Sequence, residues 1–147
     1  MPNYQNGKIY CIRSHQTDKV YVGSTTVLLS ARMAKHRWAC KTNYKNPMSQ
    51  HIIKYGDAYI ELIKLYPCSC RSELEREEGK YIREMNCVNK VIAGRTIAEY
   101  YEDNKEKMCA KVECPHCKLI VGHTYLKRHQ KYYCHPQKRE NECNQTI

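Results

Sequence analysis

The runs Lys8-Ile9-Tyr10-Cys11-Ile12-Arg13 and Lys19-Val20-Tyr21-Val22-Gly23, joined by Ser14-His15-Gln16-Thr17-Asp18, decide the fold. β-formers on either side of a short polar loop read as a hairpin, with one tyrosine on each strand. Outward from it, residues Val27 to Lys41 read as a helix with Arg32 and His36 four apart on one face. That segment holds Arg32, Lys35, Arg37 and Lys41 and no acid. Further on, Asp57 to Tyr66 suits a third strand. There Ile60, Leu62 and Lys64 alternate with Tyr59, Glu61, Ile63 and Leu65, so one face is buried and the other partly so.

Ser72 to Met85 reads as a second long helix. Ser72 with Glu75 three residues on has the form of a capping box. Positions 74, 78, 81, 82 and 85 have the spacing of a buried helix face, and the residue at 78 is Glu. Glu73, Glu75, Glu77 and Glu84 fall off that stripe and read as solvated charge. A carboxylate on the apolar face must be protonated, paired with a cationic side chain, or holding a cation.

The chain has ten cysteines. No secretory signal is visible in its polar start, so a reducing, intracellular compartment (cytoplasm or nucleus) suits them better than a disulfide framework. Cys68-Ser69-Cys70 reads as a loop before the helix rather than as half of a metal site. Cys114-Pro115-His116-Cys117 is different, because His129 and Cys134 follow it. The pattern Cys-x2-Cys-x11-His-x4-Cys puts two thiolates on a tight knuckle and two ligands on a following helix, a tetrahedral set for one Zn²⁺. His135 is the alternative fourth ligand. Cys134 is favoured because soft thiolates suit zinc. Ile120 or Val121 with Leu126 would supply a small core, and the metal most of the stability. His116 and His123 read as exposed loop residues. Lys118, Lys127, Arg128 and Lys131 gather around the helix as a nucleic-acid contact, against the alternatives of a solvated face or a protein-binding finger.

Gly7-Lys8-Ile9-Tyr10, then Tyr21-Val22-Gly23-Ser24, then Arg32-x-x-x-His36, resemble the GIY-YIG nuclease family. Asn46 to Gly56 is similar to that family's second helix. Glu78-Gly79-Lys80-Tyr81-Ile82 resembles the Glu-x-x-Tyr-Ile of its last helix, and Val88-Asn89 the Leu-Asn pair that closes the domain. Lys8 departs from the pattern, standing in the first Gly slot of the name-giving triplet. The likeness runs from residue 7 to about residue 92. It implies an α+β fold, a three-stranded antiparallel sheet flanked by helices. It also implies a metal-dependent DNA endonuclease that hydrolyses phosphodiester bonds.

The catalytic set that the resemblance implies is Tyr10, Tyr21, Arg32, His36, Glu78 and Asn89. Glu78 would hold Mg²⁺ (or Mn²⁺), and Arg32 would meet a phosphate oxygen. Tyr10 would activate water, with Tyr21 positioning that water or the phosphate. His36 would orient Tyr10 or relay its proton, and Asn89 would hydrogen-bond around the site. Gly23 would allow close approach of backbone and phosphate, or a strand-end turn. Ser24 stands where excision-repair relatives carry lysine, which brings the chain nearer the phage and viral mobile endonucleases. The C-terminal segment is similar to CCHC-type DNA-binding zinc fingers.

Charge agrees with a polyanionic partner. The 147 residues carry a net charge of +10. Residues 1–92 hold 15 basic and 8 acidic residues, and residues 109–139 hold 7 basic and 1 acidic, so both segments are basic. Double-stranded DNA is the expected partner, with Lys35 contributing beside the finger lysines and a monomer as the default state. No apolar run reaches the ~18 residues that a membrane span needs. The expected organisation is a nuclease domain over 1–92, a helical linker over 93–108, a zinc finger over 109–139 and a tail over 140–147. A binding protein on an inactive nuclease scaffold and a branch-selective repair or recombination nuclease are the competing functions.

Overall fold

The computed structural model describes residues 1–45 and 47–134; Asn46 and residues 135–147, His135 and the tail among them, lie outside the described residues. The chain divides into two compact units, residues 1–95 and residues from Thr96 onward.

The first unit has the order β1 (Lys8–Ser14), β2 (Thr17–Thr25), α1 (Leu29–Lys41), α2 (Gln50–Ile53), β3 (Tyr59–Leu65) and α3 (Arg71–Glu84). The three strands form one antiparallel sheet in the order β2-β1-β3, an α+β fold of the expected kind. β1 is central and covered on both faces, so Ile9, Tyr10, Cys11 and Ile12 are all fully buried. Strand alternation sends them to opposite cores. Ile9 and Cys11, with Val20 and Val22, pack on Leu74 and Ile82 of α3. Tyr10 and Ile12 pack on Met33 of α1 and Ile52 of α2. Full burial of each aliphatic side chain contributes about 1.5–3 kcal/mol, so these two layers hold the unit together.

Several local expectations change. The hairpin loop is only His15-Gln16, since the strands run on to Ser14 and begin again at Thr17. The Asp57 carboxylate closes it, accepting from Ser14 Oγ at 2.5 Å and His15 N–H at 3.0 Å. The alternation expected of β3 is broken. Its register on β1 slips between Ile9↔Lys64 and Tyr10↔Leu62, which leaves Ile63 unpaired. With that bulge Ile60 and Ile63 are half-buried while Leu62 and Leu65 are exposed. Helix α2 is one turn, far shorter than the stretch 46–56.

The Ser72/Glu75 capping box is not formed. Helix α3 starts at Arg71 behind Cys70, which makes no side-chain cap. Glu73 instead accepts the Ser69 N–H, and Glu75 is held by Arg71 at 2.6 Å. Met85 is the residue after the helix rather than part of it. Glu77, expected to be solvated, is buried at 5 % exposure. It is paired with Lys64 at 2.9 Å and Lys80 at 2.7 Å. These two lysines, Lys80 first, hold its carboxyl below the usual range. The Cys68 side chain belongs to the core of this unit, as a loop residue would.

The second unit opens with α4 (Ile97–Cys109), whose capping box is made by Thr96 and Glu99. β4 (Lys111–Glu113) pairs antiparallel with β5 (Ile120–Gly122), and α5 (Leu126–Tyr132) follows. Val121 and Leu126 are half-buried, but Ile120 is exposed and takes no part in a core. Lys118, at the knuckle between the strands, has the left-handed φ of 62° that a tight reversal demands. No helix among the described residues is long and apolar enough to cross a membrane.

Candidate functional site

Register brings the tyrosines of the hairpin together with one face of α1. Tyr10 sits opposite Gly23, and Ile12 opposite Tyr21. Arg32 and His36, one turn apart on α1, both reach the Tyr10 hydroxyl: Arg32 Nε donates to it at 2.8 Å, and His36 Nε2 lies 2.7 Å away. A guanidinium can only donate, so Tyr10 directs its own proton to His36 Nε2. The other ring nitrogen, Nδ1–H, then donates to Ser49 Oγ at 2.9 Å. Ser49 has no exposed surface. The result is a buried chain running Arg32, Tyr10, His36, Ser49.

Burial, partly offset by Arg32, raises the Tyr10 phenol well above its ordinary range. Burial and the charges of Arg32 and Lys35 lower His36 to about 4, so at rest it is a neutral acceptor. Gly23 is required by this chain. A Cβ there would stand 2.5 Å from Tyr10 Oη and 2.7 Å from its Cζ. Its role is therefore room for the phenol, not the turn or the phosphate approach expected of it.

Glu78 enters from the other side of the sheet. Helix α3 packs on β2, and Ser24, at the end of β2, donates to Glu78 Oε2 at 2.6 Å. Among the described residues Glu78 has no cation within ion-pair distance. The reading of a salt-bridged core carboxylate therefore lacks its partner. Burial, opposed by the Ser24 hydrogen bond, raises its carboxyl. Tyr21, half-buried, is raised by burial and by Glu78. Glu78, Tyr21, Ser24, Arg32, Lys35 and Arg71 border one hollow of about 620 Å³. Tyr10 does not border it. Its hydroxyl lies directly behind Arg32 and Gly23, which do.

A second hollow of about 330 Å³ adjoins Tyr21 and Glu78 and is bordered by His36, Met48, Ser49 and Asn89. Asn89 has a structural task here. Its side chain accepts from Val22 N–H at 3.0 Å and donates to Val22 C=O at 2.8 Å. It thus acts as a surrogate strand on the open edge of β2 and fixes Tyr21 beside it. Its amide is occupied by backbone, where the sequence had assigned it hydrogen bonds around the chemistry.

Two members of the site were missed in the sequence. Ser24 was read only as a missing lysine, although a hydroxyl after Gly23 is the nearest donor to a carboxylate on α3. Ser49 carried no signal, because its partner His36 is 13 residues away and only folding joins them.

In the second unit, the ligand atoms of Cys114, Cys117, His129 and Cys134 all lie within 4.8 Å of one another. Cys114 Sγ and Cys134 Sγ are 3.7 Å apart. Tetrahedral Zn–S bonds of about 2.3 Å set thiolates about 3.8 Å apart, so the cluster fits a zinc site. Although burial opposes its charge, backbone N–H groups of Cys117 and His116 lower the Cys114 thiol to about 6, which favours the ligating thiolate. Lys127, Arg128 and Lys131 lie exposed on α5 or beside it. Lys118 faces Glu113 at 3.3 Å, so its charge is partly answered.

Compared with known proteins, residues 6–91 match the family model described as the GIY-YIG catalytic domain. No curated protein and no solved structure matches.

Proposed function

The chain belongs to the GIY-YIG catalytic-domain family, whose members are endonucleases, and on that premise we propose that it is a metal-dependent DNA endonuclease of the phage and viral mobile-element type, its second unit a zinc finger that helps to hold double-stranded DNA. The observation that carries the proposal is the hollow at the end of β2. There Glu78, Tyr21 and Arg32 converge in front of the buried Tyr10–His36 pair. A decayed scaffold would have no reason to keep a buried polar chain satisfied from end to end.

Glu78 would hold Mg²⁺ or Mn²⁺. A half-buried carboxylate with no cationic partner among the described residues, beside room for a phosphate, fits a hard cation. When bound, such a cation neutralises phosphate charge and favours deprotonated water. The protein's own groups do the rest. Arg32 turns its fork from Tyr10 to a phosphate oxygen. Tyr10, thereby uncovered, takes a proton from the attacking water and passes its own to His36 Nε2. The resulting hydroxide attacks phosphorus, the bond to the leaving oxygen breaks, and that oxygen is protonated from solvent. A phosphate bound by Arg32 and Lys35 offsets the two charges that lower His36, so the acceptor strengthens when substrate arrives. Tyr21 steadies the water or the phosphate from the hollow.

In the finger, Cys114, Cys117, His129 and Cys134 would hold Zn²⁺. The cations at 127, 128 and 131 would contact phosphates. The nine unpaired cysteines among the described residues suit a reducing, intracellular site of action.

Plasmid nicking in Mg²⁺ tests the reading. Glu78→Gln is expected to abolish cleavage while DNA binding and circular dichroism stay unchanged. Activity within a few-fold of wild type overturns the metal assignment, and loss of the fold assigns Glu78 a structural role. Tyr10→Phe is expected to be nearly inactive. A full rate for Tyr10→Phe with none for Tyr21→Phe makes Tyr21 the base.

A further inference from the structure

The second unit carries more aromatic surface than a metal-held module of its size uses inside. Tyr125, Tyr132 and Tyr133, at the two ends of α5, are 40 %, 60 % and 51 % exposed. None of them belongs to a core cluster. The rings form one continuous group: Tyr125 and Tyr133 are nearly parallel at 22° and 6.1 Å between centroids, and Tyr132 meets Tyr133 edge-on at 6.3 Å. Cations are interleaved with them. The Arg128 guanidinium lies 6.0 Å from the centre of the Tyr125 ring, and Lys131 Nζ 4.9 Å from that of Tyr132. Among the described residues Lys127, Arg128 and Lys131 make no ion pair.

Positive charge alone would serve the phosphates of an intact duplex. Exposed rings have no use there, because base faces inside a duplex are stacked on one another, and only unpaired bases offer a free face. Rings alternating with cations match a strand whose bases and phosphates alternate. We propose that the Tyr125–Tyr132–Tyr133 face stacks on unpaired bases, so that the second unit directs this nuclease to DNA with a single-stranded segment beside a duplex. This rests on the reading above that the second unit binds nucleic acid, and it narrows the substrate class from any duplex to frayed, flapped or gapped DNA.

Binding is measured on the full chain carrying Glu78→Gln, which prevents cleavage during the assay. The probes are a fluorescein-labelled oligothymidine strand and a labelled blunt duplex of equal length, each at several salt concentrations. Three further sets of changes are compared: Tyr132→Leu with Tyr133→Leu, Tyr132→Phe with Tyr133→Phe, and Lys127→Ala with Arg128→Ala and Lys131→Ala. Tyr132→Ala alone, at the most exposed ring, serves if the leucine pair loses its metal on elemental analysis. The leucine pair is expected to weaken single-strand binding about tenfold or more, the loss of one or two stacks. It should leave the duplex within twofold and the salt slope unchanged, since no phosphate contact is removed. The phenylalanine pair, which keeps the ring faces, should bind as the parent does. The alanine set should weaken both probes and flatten both slopes. Equal effects of the leucine pair on the two probes, or none on the single strand, overturn the proposal while the finger remains a nucleic-acid binder. No effect of the alanine set on either probe overturns that underlying reading as well.

Discussion

His36 makes the nuclease unit sensitive to acid in a way that can be separated from its other titrating groups. In the folded chain the ring is neutral and low, at about 4 against 6.5 for an ordinary histidine, because it is buried and faces the Arg32 and Lys35 charges. The unfolded chain therefore binds a proton at higher pH than the folded chain does. Its contribution is fully present above about pH 6.5 and is lost as pH falls toward 4. A difference of about 2.5 pK units corresponds to about 3 kcal/mol, of which some 2 kcal/mol, roughly, is lost by pH 4.5. The groups packed on the ring do not titrate in that window: Tyr10 and Tyr21 are raised phenols, Arg32 and Lys35 stay charged, and Ser49 is neutral. Glu78, itself raised, acts in the opposite sense, so a difference between two proteins is needed. Urea unfolding is followed at pH 7 and pH 4.5 through Trp38, the only tryptophan, which sits on α1 in the same unit. His36→Gln removes the titration. It should be less stable than wild type at pH 7, but its loss between the two pH values should be smaller by about 2 kcal/mol. Equal losses in the two proteins would refute the buried, neutral histidine and the proton path drawn from it.

Gly23→Ala drives a methyl into the Tyr10 phenol and should cost about 1–3 kcal/mol in urea unfolding and nearly all nicking activity. Ser49→Ala frees the His36 tautomer. A drop in kcat of about tenfold with KM unchanged is expected, together with a change in the His36 ¹⁵N shifts, and Ser49→Thr should restore both. Stripping zinc with a chelator should unfold the second unit, seen as loss of α-helical circular dichroism, while the Trp38 signal and the urea midpoint of the first unit stay put.

The fold was legible wherever local chemistry agreed with long-range packing. Strands β1 and β2 declare themselves through β-formers either side of a polar loop, and the two-residue connection follows from sheet twist rather than from composition. Strand β3 was legible as an element but not in its register. A bulge between two aliphatic residues leaves no mark in a run such as Tyr59-Ile60-Glu61-Leu62-Ile63, because either alternation satisfies the pattern. The capping box failed for a related reason. Ser72 and Glu75 have the right spacing, but Arg71 engages Glu75 first and the helix begins one residue early.

The site shows the same limit from the other direction. Glu78 was conspicuous because a carboxylate on an apolar stripe demands an explanation. Glu77 was overlooked, yet it lies three residues after Leu74 and so shares that face. Being an acid with basic neighbours, it looked solvated, and only the return of β3 brings Lys64 alongside to make burial tolerable. Glycine 23 and Asn89 carry the sharper lesson. Each occupies a family position, and each could have been given a chemical role on that ground alone. Their environments assign them to geometry instead: one leaves space for a hydroxyl, the other finishes a strand edge. Replacing Asn89 by Asp tests this reading of the pair of bonds. The change keeps the acceptor for Val22 N–H and turns the donor for Val22 C=O into a second acceptor, so two oxygens face each other at a distance now spanned by a 2.8 Å hydrogen bond. A buried carbonyl left without its donor costs about 1–3 kcal/mol. If Asn89 acts through structure, Asn89→Asp lowers the urea midpoint by that amount and displaces Tyr21, and activity falls with stability. If it touches the reacting phosphate, activity falls at unchanged stability, and the strand-edge role is wrong.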